Sequence, residues 1–298
     1  ELSRMMATTQ RASVAVDARG RLMLWGSLVG NNYKELFDSH VPVVVSERIV
    51  CVSAGHNHIL ALNEAGEVLS FGRGEWGRLG HGDEAEVREP KVIEALRGTK
   101  IVDIAAGERY SMVLTDSGEV LAFGKAEWIK MGFDNYGIQY EPKAITVHPD
   151  VHVARITAGP KHALALTDEG KVFTVGSGDF GRNGHGDGLY YFEWAALEAV
   201  RDVRVVAMAA GDSHNILLTD TGQVFTFGEG LCGQLGHGNH AYCYTPKKIK
   251  ALSSVRVVSI AAGGDHSMVL TNTGDVLSFG FNSDGALGHG DLENRRKP

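Results

Sequence analysis

Residues 54–72 read AGHNHILALNEAGEVLSFG, and closely similar stretches recur at 106–124, 158–176, 210–228 and 262–280. Successive copies begin 52 residues apart, and no gap or insertion interrupts the series. Self-similarity at a fixed period of about 20–50 residues is typical of repeat architectures, in which each copy folds into one small unit and stacks on the next. These stretches therefore predict at least five structurally equivalent units.

A weaker sixth copy stands first in the chain. Residues 8–26, TTQRASVAVDARGRLMLWG, align with the later copies if the spacing to the next one is shortened to 46 residues. Thr9 replaces the leading glycine and Ala12 replaces the histidine, and terminal repeats are often atypical in this way. The prediction is a single domain over 1–298 with repeats at 1–46, 47–98, 99–150, 151–202, 203–254 and 255–298, the last one incomplete.

Each copy is predicted to contain four β-strands. Apolar, β-branched residues at 101–105 indicate a first strand, and the alternating segments 112–114 and 119–123 indicate a second and a third. Gly118 ends a turn signal between the last two, where a positive φ is required. Pro90 and its equivalents are expected to begin a fourth strand at the sheet edge, because proline donates no ladder bond.

A single four-stranded sheet of this length cannot bury both of its faces, whereas sheets stacked radially bury them against each other. The composition agrees, since 38 of the 298 residues are glycine, well above a usual share of about 7%, and glycine supplies tight turns. The predicted fold is therefore an all-β β-propeller of four-stranded antiparallel blades, with six repeat copies visible.

Charge and composition narrow the partners and the compartment. The net charge is −7, whereas domains that bind nucleic acid by its phosphates are usually basic. Three cysteines are too few for a disulfide framework, and no apolar run approaches the roughly 18 residues of a membrane span. We therefore expect an intracellular protein, cytoplasmic or nuclear, with neither nucleic acid nor membrane as a direct partner. The first residue, Glu1, suggests a piece cut from a longer chain.

The recurring motifs are Ala-Gly-x-x-His, Thr-Asp-x-Gly-x-Val, Phe-Gly and Gly-x-Leu-Gly-His-Gly. The Trp-Asp dipeptide of WD repeats is absent, and the only double glycine, Gly263–Gly264, lies in the wrong place for a kelch repeat. Together the motifs resemble the repeat of the regulator of chromosome condensation family over essentially the whole chain. That family usually has seven blades, so six visible copies predict a truncated chain or an incomplete ring.

The repeated histidines are predicted to be architectural. Eight of the 13 histidines occupy two repeat slots, so equivalent copies lie one to a blade, whereas a metal site needs several ligands close together. We expect each to bond the backbone and fix a turn. The third repeat departs from the pattern, with Tyr110 and Phe133 in the two slots. No metal, cofactor or catalytic residue is predicted, since no nucleophile elbow, carboxylate pair or phosphate-binding loop occurs.

The resemblance implies a non-catalytic protein–protein interaction module, as in scaffold proteins and in ubiquitin ligases of which such a propeller is one domain. Residues that follow the repeated glycine differ strongly from copy to copy, which suits a partner-specific face on a rigid scaffold. The candidate contact residues on this face are Arg109, Tyr110, Lys161, Asp212, Asp265 and His266. The expected partner is another protein, either a small GTPase or a component of the ubiquitin pathway.

The alternative function is guanine-nucleotide exchange on a Ran-type small GTPase. The founding family member does this through the face that carries the Gly-x-x-His loops, with an aspartate beside several histidines and an inserted β-wedge. Here only Asp265 directly precedes a slot histidine, and the uniform 52-residue spacing leaves no room for a wedge. The tryptophan motif of the family's plant ultraviolet-B photoreceptor is also absent, so photoreception is not expected.

Overall fold

The chain forms an all-β β-propeller of antiparallel blades, as the repeats predict. The computed structural model describes residues 5–9, 12–31, 35–46, 48–125 and 137–298. The first three blades comprise β1 (Met6–Thr8), β2 (Ala12–Val16), β3 (Leu22–Val29) and β4 (Glu35–Ser46); β5 (Ile49–Ala54), β6 (His58–Asn63), β7 (Val68–Gly72) and β8 (Val87–Val92); and β9 (Ile101–Ala106), β10 (Tyr110–Thr115), β11 (Val120–Gly124) and β12 (Gln139–Ile145). The later blades comprise β13 (Val153–Ala158), β14 (His162–Thr167), β15 (Val172–Gly176) and β16 (Tyr191–Ala196); β17 (Val205–Ala210), β18 (His214–Thr219), β19 (Val224–Gly228) and β20 (Cys243–Lys248); and β21 (Val257–Ala262), β22 (His266–Thr271) and β23 (Val276–Gly280).

The chain divides into two compact units, Glu1–Ile156 and Thr157–Pro298, with the boundary inside β13. The N-terminal unit holds the first three blades, and the C-terminal unit holds the fourth, fifth and sixth blades apart from the start of β13. The sixth sheet has three strands, and an isolated bridge between Gly280 and Arg295 follows β23. The predicted repeat bounds, with an incomplete last repeat, stay a prediction. The single domain over 1–298 stays a prediction.

Tight hairpins join the second and third strands of each blade at the predicted turn. In the third blade the Gly118 N–H donates to the Thr115 carbonyl at 3.1 Å, and the Thr115 hydroxyl accepts from the Glu119 N–H at 3.1 Å. Gly118 has a φ of 83°, a conformation that costs glycine little and side-chain-bearing residues more. The turn chemistry in the sequence therefore predicted the hairpin correctly.

Pro90, Pro142 and Pro246 lie inside fourth strands, so the prediction that they begin these strands is wrong. Pro90 is the fourth residue of β8, which lies at the edge of its sheet. The register between β7 and β8 shifts between Ser70 and Gly72, and Pro90 falls in that irregular part. A bulge leaves residues without a ladder partner, so a residue that cannot donate is tolerated there.

Hydrophobic cores form between successive blades in each unit. In the N-terminal unit Leu60 and Ile93 of the second blade pack with Phe123 of the third, and in the C-terminal unit Leu164 of the fourth blade packs with Phe227 of the fifth. Such burial contributes about 25 cal/mol for each Å² of apolar surface removed from water. The phenylalanine of the third strand thus fills the space between two blades.

The packing of this phenylalanine explains why the first residue of the Gly-His-Gly motif is glycine. Gly80 has a φ of 76°, and a Cβ at that position would lie 2.9 Å from the Phe123 ring of the next blade. Gly184 stands in the same relation to Phe227, so the motif encodes close interblade packing.

The helical segments with described bounds are short 3₁₀ turns in the loops. They span Glu75–Gly77, Glu94–Leu96, Asp179–Gly181, Glu198–Val200 and Lys250–Leu252. No helix in the described part of the chain has the length and apolar character needed to cross a membrane.

Candidate protein-interaction face

The Gly-x-x-His turns connect the first and second strands of the second, fourth, fifth and sixth blades, and Gly107–Tyr110 forms the equivalent turn of the third. In the second blade the Gly55 N–H donates to the His58 carbonyl at 2.9 Å, and the equivalent bond recurs at Gly211 and His214 at 2.8 Å. A Cβ on either glycine would overlap the imidazole ring that folds over it. The glycine is therefore required by the ring, and the two residues between them are left exposed or half-buried.

The slot histidines reach into the next blade, where they form what we call the interblade latch. In the N-terminal unit His58 Nε2 lies 2.9 Å from Ser111 Oγ, and that hydroxyl donates to the Arg78 carbonyl at 2.8 Å. A hydroxyl has one proton to give, so Ser111 accepts from the imidazole and His58 carries its proton on Nε2. The latch thus ties the second blade to the third through fully buried polar atoms.

The C-terminal unit contains two further latches. His162 Nε2 lies 2.8 Å from Asn215 Oδ1, and the Asn215 amide donates to the Arg182 carbonyl at 2.7 Å. His214 Nε2 lies 2.9 Å from Ser267 Oγ in the same way. Neighbouring residues of a strand point to opposite faces of the sheet. His214 therefore bonds Ser267 of the sixth blade, while Asn215 bonds His162 of the fourth.

The latch histidines are neutral at physiological pH. Burial lowers the pKa of His162 and of His214 to about 3, and burial together with the nearby Arg78 charge lowers the pKa of His58 well below its usual value. A group that does not titrate near pH 7 is poorly suited to proton transfer there. The latch is therefore structural.

The Gly-His-Gly histidines form a second repeated bond, within their own blade. His81 Nε2 lies 3.0 Å from Ser70 Oγ, which donates to the Leu79 carbonyl at 2.7 Å. The same arrangement recurs at Thr174 with His185 and at Thr226 with His237. Both histidine slots therefore hold turns, as predicted. Hydroxyl and amide side chains are partners that the sequence did not predict, and backbone contacts also occur, since His289 Nε2 lies 3.4 Å from the Ser278 carbonyl. Phe133, in the deviant repeat, lies outside the described residues.

The acceptor side of the latch was not predicted, although a signal for it exists. Ser111, Asn215 and Ser267 each stand one residue after the histidine slot. Each belongs to a repeat whose predecessor has a histidine in that slot. The two copies that follow Ala12 and Tyr110 instead carry an apolar residue there, and these are Ile59 and Ala163.

Of the predicted contact residues in the N-terminal unit, Arg109 lies on the surface and Tyr110 does not. Arg109 is exposed and pairs with Glu108 at 3.1 Å. Tyr110 is only 2% exposed, and burial raises the pKa of its hydroxyl. The ring fills the histidine slot, where a Cβ on Gly107 would overlap it. Tyr110 is therefore removed from the surface set and assigned to the core.

The C-terminal unit brings two predicted residues together. The Asp212 N–H donates to the Gly264 carbonyl at 3.0 Å, which places Asp212 beside Asp265. Burial and the Asp212 charge raise the pKa of Asp265. Lys161 is half-buried, and so is His266, whose pKa burial lowers.

Glu229 and Arg182 belong to this region but were missed from the sequence. Burial and the Asp265 charge raise the pKa of Glu229, because like charges nearby disfavour ionisation. The buried Arg182 guanidinium donates to the Asp212 carbonyl at 3.4 Å and so holds the turn in place. In the N-terminal unit the Arg78 guanidinium donates to the Glu108 carbonyl at 3.1 Å. The two arginines occupy the same repeat slot, and this recurrence in the sequence could have indicated their shared role.

No cluster of three or more His, Cys, Asp or Glu side chains able to hold a metal ion occurs among the described residues. The repeated polar residues are bonded to one another or to turns, and the face carries charged side chains that differ from turn to turn. This arrangement defines a repeat scaffold with a variable surface.

The chain belongs to the RCC1-like domain family, whose profile matches residues 3–298. The human E3 ubiquitin-protein ligase HERC2 is 34% identical over 251 residues, which are 84% of this chain and 5% of that ligase. The ultraviolet-B receptor UVR8 of Arabidopsis thaliana is 32% identical over 244 residues, which are 82% of this chain and 56% of the receptor. The chain thus spans less than two thirds of the length of either relative.

Solved structures show the same fold. Human WBSCR16 gives a TM-score of 0.84 at 24% identity, covering 100% of this chain and 82% of that one. Yeast RCC1 (Prp20), in a complex with Kap60, gives 0.83 at 21% identity, covering 98% and 73%. These likenesses establish the propeller architecture.

Proposed function

We propose that this chain is a non-catalytic protein–protein interaction module, and that its Gly-x-x-His turns form the partner-binding face. One observation carries the proposal. Each turn is built by the same glycine and is held by repeated side chains, while the two residues between them change from Glu108–Arg109 to Asp212–Ser213 and Gly264–Asp265. In such a scaffold the backbone of each turn is fixed, while the identity of the exposed residues can vary. A fixed backbone loses little conformational entropy when a partner binds, so partner-specific contacts form at low entropic cost.

The partner is proposed to be another protein, met inside the cell. The names of relatives and of solved structures support this class: one is a ubiquitin-protein ligase, one is RCC1 bound to Kap60, and one Prp20 structure is reported with its binding to Gsp1p and histones. By the same resemblance, the module is proposed to be part of a larger scaffold or ubiquitin ligase. The charges on the turns suit contacts at the polar rim of an interface.

A matched pair of charge reversals tests the face. Asp212 lies just before β18 and Asp220 just after it, so the two exposed aspartates mark opposite ends of one strand. Partners captured from cell lysate and quantified by mass spectrometry should be lost with Asp212→Lys and kept with Asp220→Lys. Arg109→Glu should reduce capture in the same way. Equal capture by all three variants would refute the face, and unchanged thermal unfolding is the control for folding.

Nucleotide exchange on a Ran-type GTPase is the competing function, and a release assay separates the two. The labelled nucleotide should leave the GTPase at its intrinsic rate when catalytic amounts of this chain are added. An acceleration by orders of magnitude, about 10³-fold or more, would replace the interaction module by an exchange factor. Loss of that acceleration in Asp265→Asn would then assign it to the same face.

A further inference from the structure

An exposed group of aromatic side chains lies on the fourth and fifth blades of the C-terminal unit. This aromatic patch consists of the exposed Phe180, Tyr190, Phe192 and Tyr244 and the half-buried Tyr242. The ring centroids of Phe180 and Tyr242 are 5.4 Å apart, those of Tyr242 and Tyr244 are 6.5 Å apart, and those of Tyr190 and Phe192 are 6.4 Å apart. Exposed aromatic clusters of this kind mark interaction sites more often than isolated apolar residues do.

Part of the patch lies outside the repeated frame. Two repeats earlier, Glu86 and Arg88 stand where the patch has Tyr190 and Phe192, and Ile138 stands where it has Tyr242. Trp76 and Tyr140 of the N-terminal unit occupy the slots of Phe180 and Tyr244, so only part of the patch is specific to the C-terminal unit. The repeated frame therefore does not explain Tyr190 and Tyr242, whose slot holds Glu86 and Ile138 in the earlier copies.

Phe180 also carries a backbone cost. Its φ is 59°, in the left-handed region that bulky side chains rarely adopt, and its side chain is 39% exposed. Trp76 has a φ of 66° in the same slot, so this conformation belongs to the repeated turn, and it presents an aromatic ring in both units. Here the ring is presented outward beside the Arg182 guanidinium, whose central carbon lies 5.4 Å from the ring centroid.

The charges around the patch favour a cationic partner. The Tyr190 hydroxyl donates to Asp179 Oδ2 at 2.8 Å, so one carboxylate stands within the patch. Asp179, Glu229 and Asp212 all act electrostatically on Arg182, and that guanidinium is buried and bonded to backbone carbonyls. Three carboxylates therefore act on one guanidinium whose own hydrogen bonds go to backbone carbonyls. Aromatic faces attract guanidinium groups, and carboxylates pair with them in a bidentate manner.

We propose that the aromatic patch binds an arginine-containing basic peptide segment of a protein partner, with the guanidinium over a tyrosine or phenylalanine face and paired with Asp179 or Glu229. This inference rests on the proposed interaction role and adds the chemistry of the partner. Apolar side chains of the same peptide would pack on Tyr244, whose ring lies 3.2 Å from a Cβ placed on Gly188.

Oriented peptide libraries test the proposal. Labelled libraries with Arg, Lys, Glu or phosphoserine fixed at the centre are passed over the immobilised full chain. The wild-type chain should enrich the Arg library, with basic and apolar flanking positions. The selected peptide should bind about tenfold more weakly to Tyr244→Ser and to Tyr242→Ser, in the range typical of interface anchors. Tyr140→Ser, the equivalent of Tyr244 in the N-terminal unit and also exposed, should bind like the wild type.

The other outcomes overturn the proposal in distinguishable ways. Enrichment of the Glu or phosphoserine library, or of none, would refute a basic partner. If Tyr244→Ser keeps its partners in lysate while Asp212→Lys loses them, the face stands and the patch fails. If neither variant changes capture, the proposed function fails as well. Circular dichroism and thermal unfolding of the tyrosine variants exclude loss of fold as the cause.

Discussion

The second and fourth blades share one frame and carry different surfaces. Trp76 and Phe180 occupy the same slot, with φ values of 66° and 59°, and each is followed two residues later by a buried arginine that bonds the next turn. Beside Trp76, Lys125 Nζ lies 4.2 Å from the ring centroid. The slot of Lys125 in the C-terminal unit holds Glu229, so the sign of the charge changes while the backbone does not.

This comparison separates two kinds of residue within one repeat. Positions such as Arg78 and Arg182, which keep their identity between the units, bond the backbone or fill the space between blades. Positions that change, such as Lys125 and Glu229, are half-buried and carry charges of opposite sign. Repetition inside one chain thus separates positions that the frame requires from positions that vary, without any second sequence.

Acidification should destabilise the C-terminal unit more than the N-terminal unit, and this is the largest difference expected between them. The C-terminal unit has two latch histidines with a pKa of about 3, His162 and His214, whereas in the N-terminal unit Tyr110 occupies one of the corresponding slots. An unfolded histidine binds a proton below about pH 6.5, and the folded one does not until about pH 3. Stability is therefore complete above pH 6.5 and falls by about 1.4 kcal/mol per pH unit for each such histidine as the pH drops.

Hydrogen exchange, corrected for the intrinsic effect of pH, checks this difference. Protection in β18 should be lost at a higher pH than protection in β10. Equal loss in both strands would show that the latch histidines do not set acid stability.

Alanine at the turn glycines should destabilise both units alike. A Cβ on Gly55 or Gly211 would overlap a buried imidazole, so each substitution should cost about 2–3 kcal/mol of unfolding free energy. Gly264→Ala is the control, because its Cβ would meet nothing nearer than Asp212 Oδ2 at 3.4 Å and should change stability by no more than about 0.5 kcal/mol. Urea unfolding measures all three, and a tolerant Gly211→Ala would contradict the packing explanation.

Substitution of the residues that accept the latch hydrogen bond tests whether the latches of the two units are equivalent. Asn215→Ala removes the partner of both His162 and the Arg182 carbonyl and should cost about 1–3 kcal/mol, as should Ser111→Ala in the N-terminal unit. Asn215→Ser transplants the acceptor of the other unit and should cost less than Asn215→Ala. If serine is no better than alanine by urea unfolding, the latches are not interchangeable.

Charge changes at the shared surface slot should have the smallest effect on stability. Lys125→Ala removes the contact with Trp76 and should cost about 0.5 kcal/mol. Glu229→Gln should stabilise the chain by a few tenths of a kcal/mol, since burial and the nearby Asp265 raise the pKa of Glu229. Thermal unfolding at low and high salt measures the change in stability of both variants. A destabilised Glu229→Gln would show that the charge of Glu229 is needed for the fold.

The sequence predicted the blades, the hairpins and the role of the repeated histidines, because local turn chemistry and period-two patterns determine them. It misplaced Pro90, since the register shift opposite Gly72 depends on how two strands pair. It placed Tyr110 on the surface because residue variation between copies does not distinguish a loop position from a substituted core position. The aromatic patch escaped notice because Phe180 and Tyr242 belong to different repeats and meet through loop geometry.

The adjacency of latch donor and acceptor bears on how such a chain changes over evolution. A repeat that contains His214–Asn215 or His266–Ser267 carries one half of the latch for each neighbour. Such a 52-residue segment can be duplicated, deleted or exchanged as a whole and still find its counterpart, provided that the flanking copies carry the matching half. Blade number can then change by recombination in one step, and each newly inserted copy arrives with a fresh pair of turn residues on which selection for a different partner can act.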